Sequence, residues 1–367
     1  MIKYLGSKRL MLPAILDAID SLALGACPTV LDLFSGTSRV GHALKRRGSR
    51  VIACDHNSYA HTLAACYVQS DDEHIDAAHR LIDEFNALAP TGGYFTETFC
   101  VCSRFFHPKN GARVDAIRDE IERKGLEPEL KAIVLTSLME AADRVDSTTG
   151  VQMAYLKAWA PRAQNDLLLR VPDLLARPLG GKCEAHRMDA FDAARSVEAD
   201  VAYIDPPYNQ HSYLGNYHVW ESLVRWDKPE VYGVACKRVD VRQRQSVFNS
   251  RPAFAGALTR LFNSLRCKAL VVSFSDEGFI TRDNLQQLLQ SLDGATAVVR
   301  TLNVDYKRYV GAKIGIYNPQ GQKVGRVGHL RNTETLFIVT RPACRVSLPN
   351  DTPSSACDFA FRPAPIG

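Results

Sequence analysis

The residues with the clearest chemical potential are Asp205-Pro206-Pro207-Tyr208, which follow an apolar run at 200–204. The Asp205 side chain and the Pro206 carbonyl can each accept one hydrogen from the exocyclic amine of a nucleobase, which favours a tetrahedral nitrogen. Proline holds that carbonyl rigidly, because its ring fixes φ. Tyr208 can stack on the base, which must leave the duplex for its amine to be reached. The motif therefore predicts nucleobase-amine chemistry at these four residues.

The same geometry serves two amines, N6 of adenine and N4 of cytosine, and the residues alone leave both open. Methylation of cytosine C5 is disfavoured because it typically needs a thiolate after a proline, and none of the ten cysteines follows one. Methylation of RNA or of a protein glutamine is disfavoured because a related amide-methylating motif has Asn in place of Asp. The intact motif also argues against a catalytically silent DNA-binding module. His211 and His218 are interpreted as polar or stacking residues, not as bases.

A second motif is the turn Asp32-Leu33-Phe34-Ser35-Gly36-Thr37, which follows the first predicted strand. Gly36 permits close approach of a ligand to the backbone, but neither G-x-G-x-x-G nor a P-loop is present. Asp55 ends the second predicted strand, where its carboxylate can bind both ribose hydroxyls. A ribose acid without a phosphate cradle suits a nucleoside cofactor that lacks phosphates, and S-adenosylmethionine (AdoMet) is the candidate.

A third motif, Lys3-Tyr4-Leu5-Gly6-Ser7-Lys8, lies near the start of the sequence. With these three motifs in this order, the chain resembles the Dam-like (class alpha) family of adenine-specific DNA methyltransferases. The resemblance spans about residues 1–340. It differs from the family pattern in Leu5-Gly6-Ser7-Lys8, where an aromatic residue and two glycines often precede the lysine. It also differs in Phe34-Ser35-Gly36-Thr37-Ser38, which lacks a second glycine.

The resemblance implies a function and a set of site residues. It implies transfer of the AdoMet methyl group to adenine N6 in duplex DNA, with cytosine N4 as the alternative. Asp rather than Ser at 205 favours adenine. The implied cofactor contacts are Tyr4, Gly6 and Lys8 beside the methionine part, Asp32, Phe34, Ser35, Gly36 and Thr37 around it, Asp55 at the ribose, and Asp189 with Phe191 at the adenine ring.

Strand-like runs at 29–34, 50–54, 200–204, 268–274, 296–302 and 335–340 alternate with helical stretches, which predicts an α/β fold with a parallel sheet. The resemblance makes it a Rossmann-like AdoMet-dependent methyltransferase sheet. Residues 70–182 are largely helical in pattern. We expect a catalytic domain at 1–69 and 183–343, a helical target-recognition insertion at 70–182, and a C-terminal extension at 344–367.

Positive charge is concentrated in two segments of a chain whose net charge is +5. Residues 300–331 carry a net +6, residues 225–251 carry +4, and the remainder carries −5. This distribution is typical of proteins that bind a phosphate backbone. Lys307 and Arg308 are predicted phosphate contacts. Arg104, Asn110 and Arg113 are predicted to bind DNA from the insertion, because Arg and Asn can read base edges.

Composition excludes several other classes of protein. The 367 residues are 46% apolar and 23% charged, as in globular proteins. No apolar stretch approaches the roughly 18–20 residues of a membrane helix, and no secretory signal is recognisable. Ten scattered cysteines predict reduced thiols and a cytoplasmic protein, and no Cys/His spacing predicts a metal site. Double-stranded DNA is the expected partner, with a cognate restriction endonuclease as a further candidate; the recognition sequence and the oligomeric state stay open.

Overall fold

The structure is a computed structural model that describes residues 1–307 and 331–342. A seven-stranded sheet forms the centre of this part of the chain. Its order is β3-β2-β1-β4-β7-β9-β8, and a two-stranded hairpin, β5-β6, lies apart from it. The strands are β1 (Thr29–Leu33), β2 (Arg50–Asp55), β3 (Glu184–Arg187), β4 (Glu198–Ile204), β5 (Val231–Tyr232), β6 (Lys237–Arg238), β7 (Arg266–Ser275), β8 (Val298–Lys307) and β9 (Arg331–Thr340).

The pairing of the sheet is parallel from β3 to β7 and antiparallel where β9 lies between β7 and β8. The parallel strands end at one edge, where the glycine turn follows β1, Asp55 ends β2 and Asp205 follows β4. Ligands of open α/β sheets bind beyond this carboxyl edge. The predicted Rossmann-like α/β fold is therefore confirmed, and the sheet brings the two predicted motifs to the same edge.

Helices cover both faces of the sheet and form the region between β2 and β3. Two π-helical turns, Ala65–Gln69 and Glu97–Val101, extend α3 and α5. The helices are α1 (Leu12–Asp20), α2 (Arg39–Arg46), α3 (Ser58–Ala64), α4 (Ile75–Ala87), α5 (Tyr94–Thr96), α6 (Pro108–Lys124), α7 (Pro128–Arg144), α8 (Ala190–Ser196), α9 (Tyr213–Asn216), α10 (His218–Arg225), α11 (Arg251–Ser264), α12 (Arg282–Gln290) and α13 (Leu292–Ala295).

Alternating side chains of the strands build a separate apolar core on each face. In β4, for example, Val201 belongs to one core, and Ala202 and Ile204 belong to the other. This is the two-residue period expected of a strand that is buried on both sides. The continuous apolar runs in the sequence therefore mark central strands.

The helical region packs into one of these two cores. Helix α7 contacts α3 and the π-helical turn Ala65–Gln69, and Ile133 and Leu138 of α7 share the core of Val30 and Val51. The predicted helices of this region are present, while its role in target recognition stays a prediction. Within residues 1–307 and 331–342, no helix combines the length and apolar character that crossing a membrane requires.

Candidate active site

A cleft of about 790 Å³ lies at the carboxyl edge of the sheet, and most of the predicted site residues line it. It is bounded by the N-terminal segment, the turn after β1, the end of β2 and the loop after β4. The predicted residues that line it are Tyr4, Gly6, Lys8, Asp32, Phe34, Ser35, Gly36, Thr37, Asp55, Asp205 and Pro207. The fold thus joins three motifs that are up to about two hundred residues apart.

Asp205 stands at the end of β4 and is paired with Lys8. The Lys8 ammonium lies 3.0 Å from Asp205 Oδ1 and also donates a hydrogen bond to Glu334 on β9. Burial alone would lower the pKa of Lys8, but Asp205 and Glu334 outweigh it, and that pKa is raised. Burial raises the pKa of Asp205 to about 6; Lys8 opposes this shift and Glu334 adds to it. Lys8 thus contacts Asp205 at the predicted catalytic corner, which is the end of β4 with residues 205–208, although the resemblance places Lys8 at the methionine part of the cofactor.

The N-terminal segment reaches the cleft through Gly6, whose φ is +74°. A Cβ at this position would lie 3.0 Å from the Tyr213 hydroxyl, so any other residue would be strained and crowded. Stacking of the Tyr4 ring on Tyr217, with centroids 4.6 Å apart, also fixes the segment. These contacts fix the segment that carries Lys8 into the cleft.

The turn after β1 is held in place by carboxylates from two strands. Asp55 Oδ2 accepts the Gly36 N–H at 3.1 Å, and its Oδ1 accepts the Asn57 N–H at 2.9 Å. Asp32 accepts the Gly41 N–H at 3.0 Å, and burial raises the pKa of Asp32 to about 7 despite this bond. Gly36 has a φ of +52°, and a Cβ there would lie 3.3 Å from the Tyr4 ring. Because Gly36 has no side chain, the N-terminal segment can pack closely on the turn.

A smaller cavity, of about 280 Å³ with its open mouth included, adjoins Asp55, the predicted ribose acid. Its walls include Phe34, His56, Met188, Asp189 and Phe248. The mostly apolar surface with a polar rim suits a flat aromatic ring.

Asp189 lies at this cavity, and Phe191 does not line it. Asp189 accepts the Phe191 N–H at 2.8 Å and so caps α8. The Phe191 ring instead stacks on Phe248, with centroids 5.6 Å apart, and it is not among the residues lining the 280 Å³ cavity. Contact between Phe191 and a cofactor ring therefore stays a prediction, and Phe248 rather than Phe191 lines this cavity.

The motifs in this cleft agree with the similarity of the chain to known proteins. Residues 4–276 match the profile of a family described as D12 class N6 adenine-specific DNA methyltransferase. This chain belongs to that family. The match confirms the resemblance noted from the motifs.

Relatives of this D12-class chain are modification enzymes by name. Modification methylase StsI of Streptococcus sanguinis is 26% identical over 84% of this chain and 48% of its own length. Type II methyltransferase M.FokI of Planomicrobium okeanokoites is 27% identical over 84% of this chain and 49% of its own. Type II methyltransferase M.NlaIII of Neisseria lactamica is 27% identical over 77% of this chain and 84% of its own length. The chain spans about half the length of the first two relatives.

AdoMet fits the residues present in the D12-class cleft. Asp32, Asp55 and Asp205 line the cleft together with Lys8, Arg39 and Arg244, so its walls offer both hydrogen-bond acceptors and donors to the ribose and to the charged methionine part of AdoMet. Among the described residues, buried Ser35 Oγ and Asn57 Oδ1 lack a hydrogen-bond partner. Both residues line the cleft and offer bonds to a polar ligand.

The loop after Pro207 is fixed by backbone contacts of Tyr208 and its neighbours. The Phe279 N–H donates to the Tyr208 carbonyl at 2.9 Å, and the Tyr208 ring meets Phe274 edge to face, with centroids 5.8 Å apart. Asn249 donates to the carbonyls of Asn209 and His211 at 2.7 and 3.1 Å. These contacts fix the conformation of the loop that follows Pro207.

The raised pKa of Asp205 predicts the pH dependence of methyl transfer. The rate should fall as the pH decreases through about 6, because a protonated Asp205 would lose the charged hydrogen bond that the motif is predicted to make with a nucleobase amine. The measurement is kcat/KM between about pH 5 and pH 8. AdoMet affinity is measured at each pH, so that weaker cofactor binding can be distinguished from a slower reaction. A rate that stays constant down to about pH 5 would contradict this role of Asp205.

Of the predicted DNA contacts in the insertion, Asn110 and Arg113 are structural residues. Asn110 is 1% exposed, donates to the carbonyls of Ala163 and Asn165, and accepts the Leu167 N–H. Base reading by Asn110 is therefore wrong, because its amide is buried and already bonded. The Arg113 guanidinium likewise donates hydrogen bonds to three carbonyls, those of Leu167, Leu88 and Asn86.

Arg104 is the member of this group whose role as a DNA contact stays a prediction. It is partly exposed, donates to the Lys157 carbonyl at 2.6 Å and lies over the Trp159 ring. The side chain of Lys307 and the whole of Arg308 lie outside the described residues.

Much of the charge in the segment 225–251 is neutralised within the fold. Buried Arg238 forms ion pairs with Asp227 and Asp240, at 2.7 and 3.0 Å. Arg244 is held 2.9 Å from buried Glu221. Arg242 remains exposed and lies over the Tyr232 ring. The net charge of +4 already counts Asp227 and Asp240, so of these pairs it is Arg244 with Glu221, an acid outside the segment, that lowers the positive charge that the segment offers.

Replacing Asn110 with alanine should destabilise the protein without changing DNA affinity. Two carbonyls and one N–H would lose their partner in a buried site, at a cost of about 2–4 kcal/mol. Denaturant unfolding measures the loss, and exposed Asn284→Ala is the matched control, with a change within about 0.5 kcal/mol. Unchanged stability combined with a collapse of DNA binding would restore the base-reading role.

Sequence reasoning missed Glu334, Phe248 and Met188. Glu334 completes the ion pair of Lys8, and the other two line the smaller cavity. Phe248 carries a weak signal in the sequence, as an aromatic residue within a basic segment. Met188 directly precedes Asp189, an implied cofactor contact, and that position is its signal in the sequence. For Glu334 no local motif marks the position, because its place depends on strand pairing.

Proposed function

We propose that this chain transfers the methyl group of AdoMet to the N6 amine of an adenine flipped out of duplex DNA. The observation that carries the proposal is the single cleft shared by Asp205, Pro207 and the glycine turn held by Asp55. Membership of the D12 class supports adenine over cytosine.

Each residue has a defined task in this proposal. The glycine turn, Asp55 and the cavity beside Phe248 are the parts of the site that would hold AdoMet. AdoMet supplies a methyl group already activated on a sulfonium, so catalysis needs mainly orientation and electrostatic stabilisation. Asp205 and the Pro206 carbonyl accept the two amine hydrogens and direct the nitrogen lone pair toward the methyl group. Asp205, with a pKa of about 6, can then take the proton that the methylated amine loses.

The substrate amine lies inside the stack of a duplex, so the proposal includes base flipping. Tyr208 provides a ring on which the displaced base stacks, a contact worth about 1–3 kcal/mol. Arg104 and Arg242 are proposed phosphate contacts, and Lys307 and Arg308 remain predictions of the same kind. The names of the relatives support a place in a restriction–modification system, with a cognate endonuclease as a proposed partner.

The test is transfer of an isotopically labelled methyl group from AdoMet to unmethylated duplex DNA of high sequence diversity. After digestion to nucleosides, mass spectrometry should find the label in N6-methyldeoxyadenosine. Label in N4-methyldeoxycytidine would show that cytosine is the substrate base and would leave the proposed mechanism unchanged. Absence of label in DNA, with AdoMet bound to the protein, would overturn the proposal.

A further inference from the structure

A buried carboxylate on β9, Glu334, borders the catalytic corner from the side opposite the glycine turn. It is 2% exposed and accepts hydrogen bonds from the Lys8 ammonium and the Ser273 hydroxyl. It lies outside residues 4–276, the segment that matches the family profile. The motifs of the family therefore say nothing about it.

Strand pairing determines the position of Glu334. Strand β9 runs antiparallel to β7, with Glu334 opposite Ser275, and β7 is the strand next to β4. This register places the carboxylate beside the Lys8 ammonium, which itself lies 3.0 Å from Asp205 Oδ1. Two carboxylates from different strands thus share one buried cation.

Such an arrangement contributes little stability in itself. Moving charged groups out of water costs several kcal/mol for each ion, and well-packed apolar replacements are often as stable. A Lys8–Asp205 pair alone would already balance one charge with one charge. The additional buried acid therefore calls for a role beyond holding the fold together.

We propose that Glu334 is a positioning residue for methyl transfer. By sharing the Lys8 ammonium, it keeps this cation on Asp205 Oδ1 and prevents it from also binding Oδ2. Asp205 Oδ2 is therefore left for the substrate amine. This inference rests on the proposed function. Lys8 acts through Asp205 in the same way and is also a positioning residue.

The groups around Asp205 define what the loss of one charge would do. Lys8 is the cation facing Asp205, and the other charged or titratable groups near it are Glu334, Asp32, Tyr203, Tyr208 and Tyr213. Glu334→Gln keeps the shape and removes one negative charge. The Asp205 anion then becomes easier to form, and Lys8 binds Asp205 alone and competes with the amine.

The test compares Glu334→Gln with the unaltered chain in two measurements. In turnover, kcat should fall about tenfold with little change in KM for DNA, and the acid limb of the pH profile should move down by about one pH unit. In the ligand-free protein, carbon-13 NMR of labelled aspartates should show the Asp205 titration moving in the same direction. Asp205→Asn assigns that signal by removing it.

Thr335→Val is the matched control on the neighbouring position of β9. It removes a buried hydroxyl that bonds Asn303 at 3.0 Å on the adjacent strand. Its pH profile and Asp205 titration should match those of the unaltered chain. Equal titration of Asp205 in the Glu334→Gln variant and the unaltered chain would overturn the proposal, as would an equal shift in Thr335→Val. Because the NMR titration needs no turnover, it reports the coupling of Glu334 to Asp205 separately from any failure of the proposed methyl transfer.

Discussion

Replacing Asp205 with alanine is expected to abolish methyl transfer while leaving AdoMet binding within a few-fold of normal. The carboxylate is the group that accepts an amine hydrogen in our account, and loss of a comparable preorganised group costs about 10²–10³ in kcat. Asp205 does not hold the glycine turn, which is bonded by Asp55. The fold should survive, because Lys8 keeps Glu334 as a partner.

Two measurements give this prediction its controls. Single-turnover transfer reports chemistry, and calorimetric titration reports AdoMet affinity. Asp192→Ala removes an acid whose side chain is 63% exposed on α8, and it should transfer methyl groups at the normal rate. Near-normal transfer by Asp205→Ala would remove Asp205 from the mechanism.

Replacing Asp55 with alanine should have the second largest effect, and on binding instead of chemistry. The variant loses the acceptor of two backbone N–H groups, those of Gly36 and Asn57, and also the expected ribose ligand. Charged hydrogen bonds contribute about 1.5–3 kcal/mol each, so AdoMet affinity should fall at least about tenfold to a hundredfold. Saturating AdoMet should restore much of kcat, because Asp205 is untouched.

Calorimetric titration of AdoMet into the protein is the measurement. Exposed Asp283 in the first turn of α12 provides the control, and Asp283→Ala should bind AdoMet normally. An Asp55→Ala variant with unchanged affinity and a reduced kcat would show that this acid acts on the reaction and not on the cofactor.

The parts of the site that local sequence encodes were predictable. The runs that became β1, β2 and β4 are apolar, and each is followed or ended by a polar residue that reaches the carboxyl edge. Since parallel strands end at the same edge, the glycine turn, Asp55 and Asp205 had to meet once the sheet order was of this kind.

What escaped prediction depends on contacts between distant segments. Strand β3 reads Glu-Ala-His-Arg, a short polar edge strand with no apolar run to mark it. The place of Glu334 follows from insertion of β9 between β7 and β8, a pairing that no local pattern encodes. Asn110 stands among basic and aromatic residues that suggest nucleic-acid binding, but its burial is decided by the segment that packs over it.

The most direct test is a crystal structure of the protein with a non-reactive AdoMet analogue and duplex DNA that carries its methylation site. Sequencing of DNA modified by the protein would first supply that site. Our account predicts an adenine outside the helix, with N6 about 3 Å from both an Asp205 oxygen and the Pro206 carbonyl. A base still stacked in the duplex, or one whose amine lies away from this corner, would contradict it.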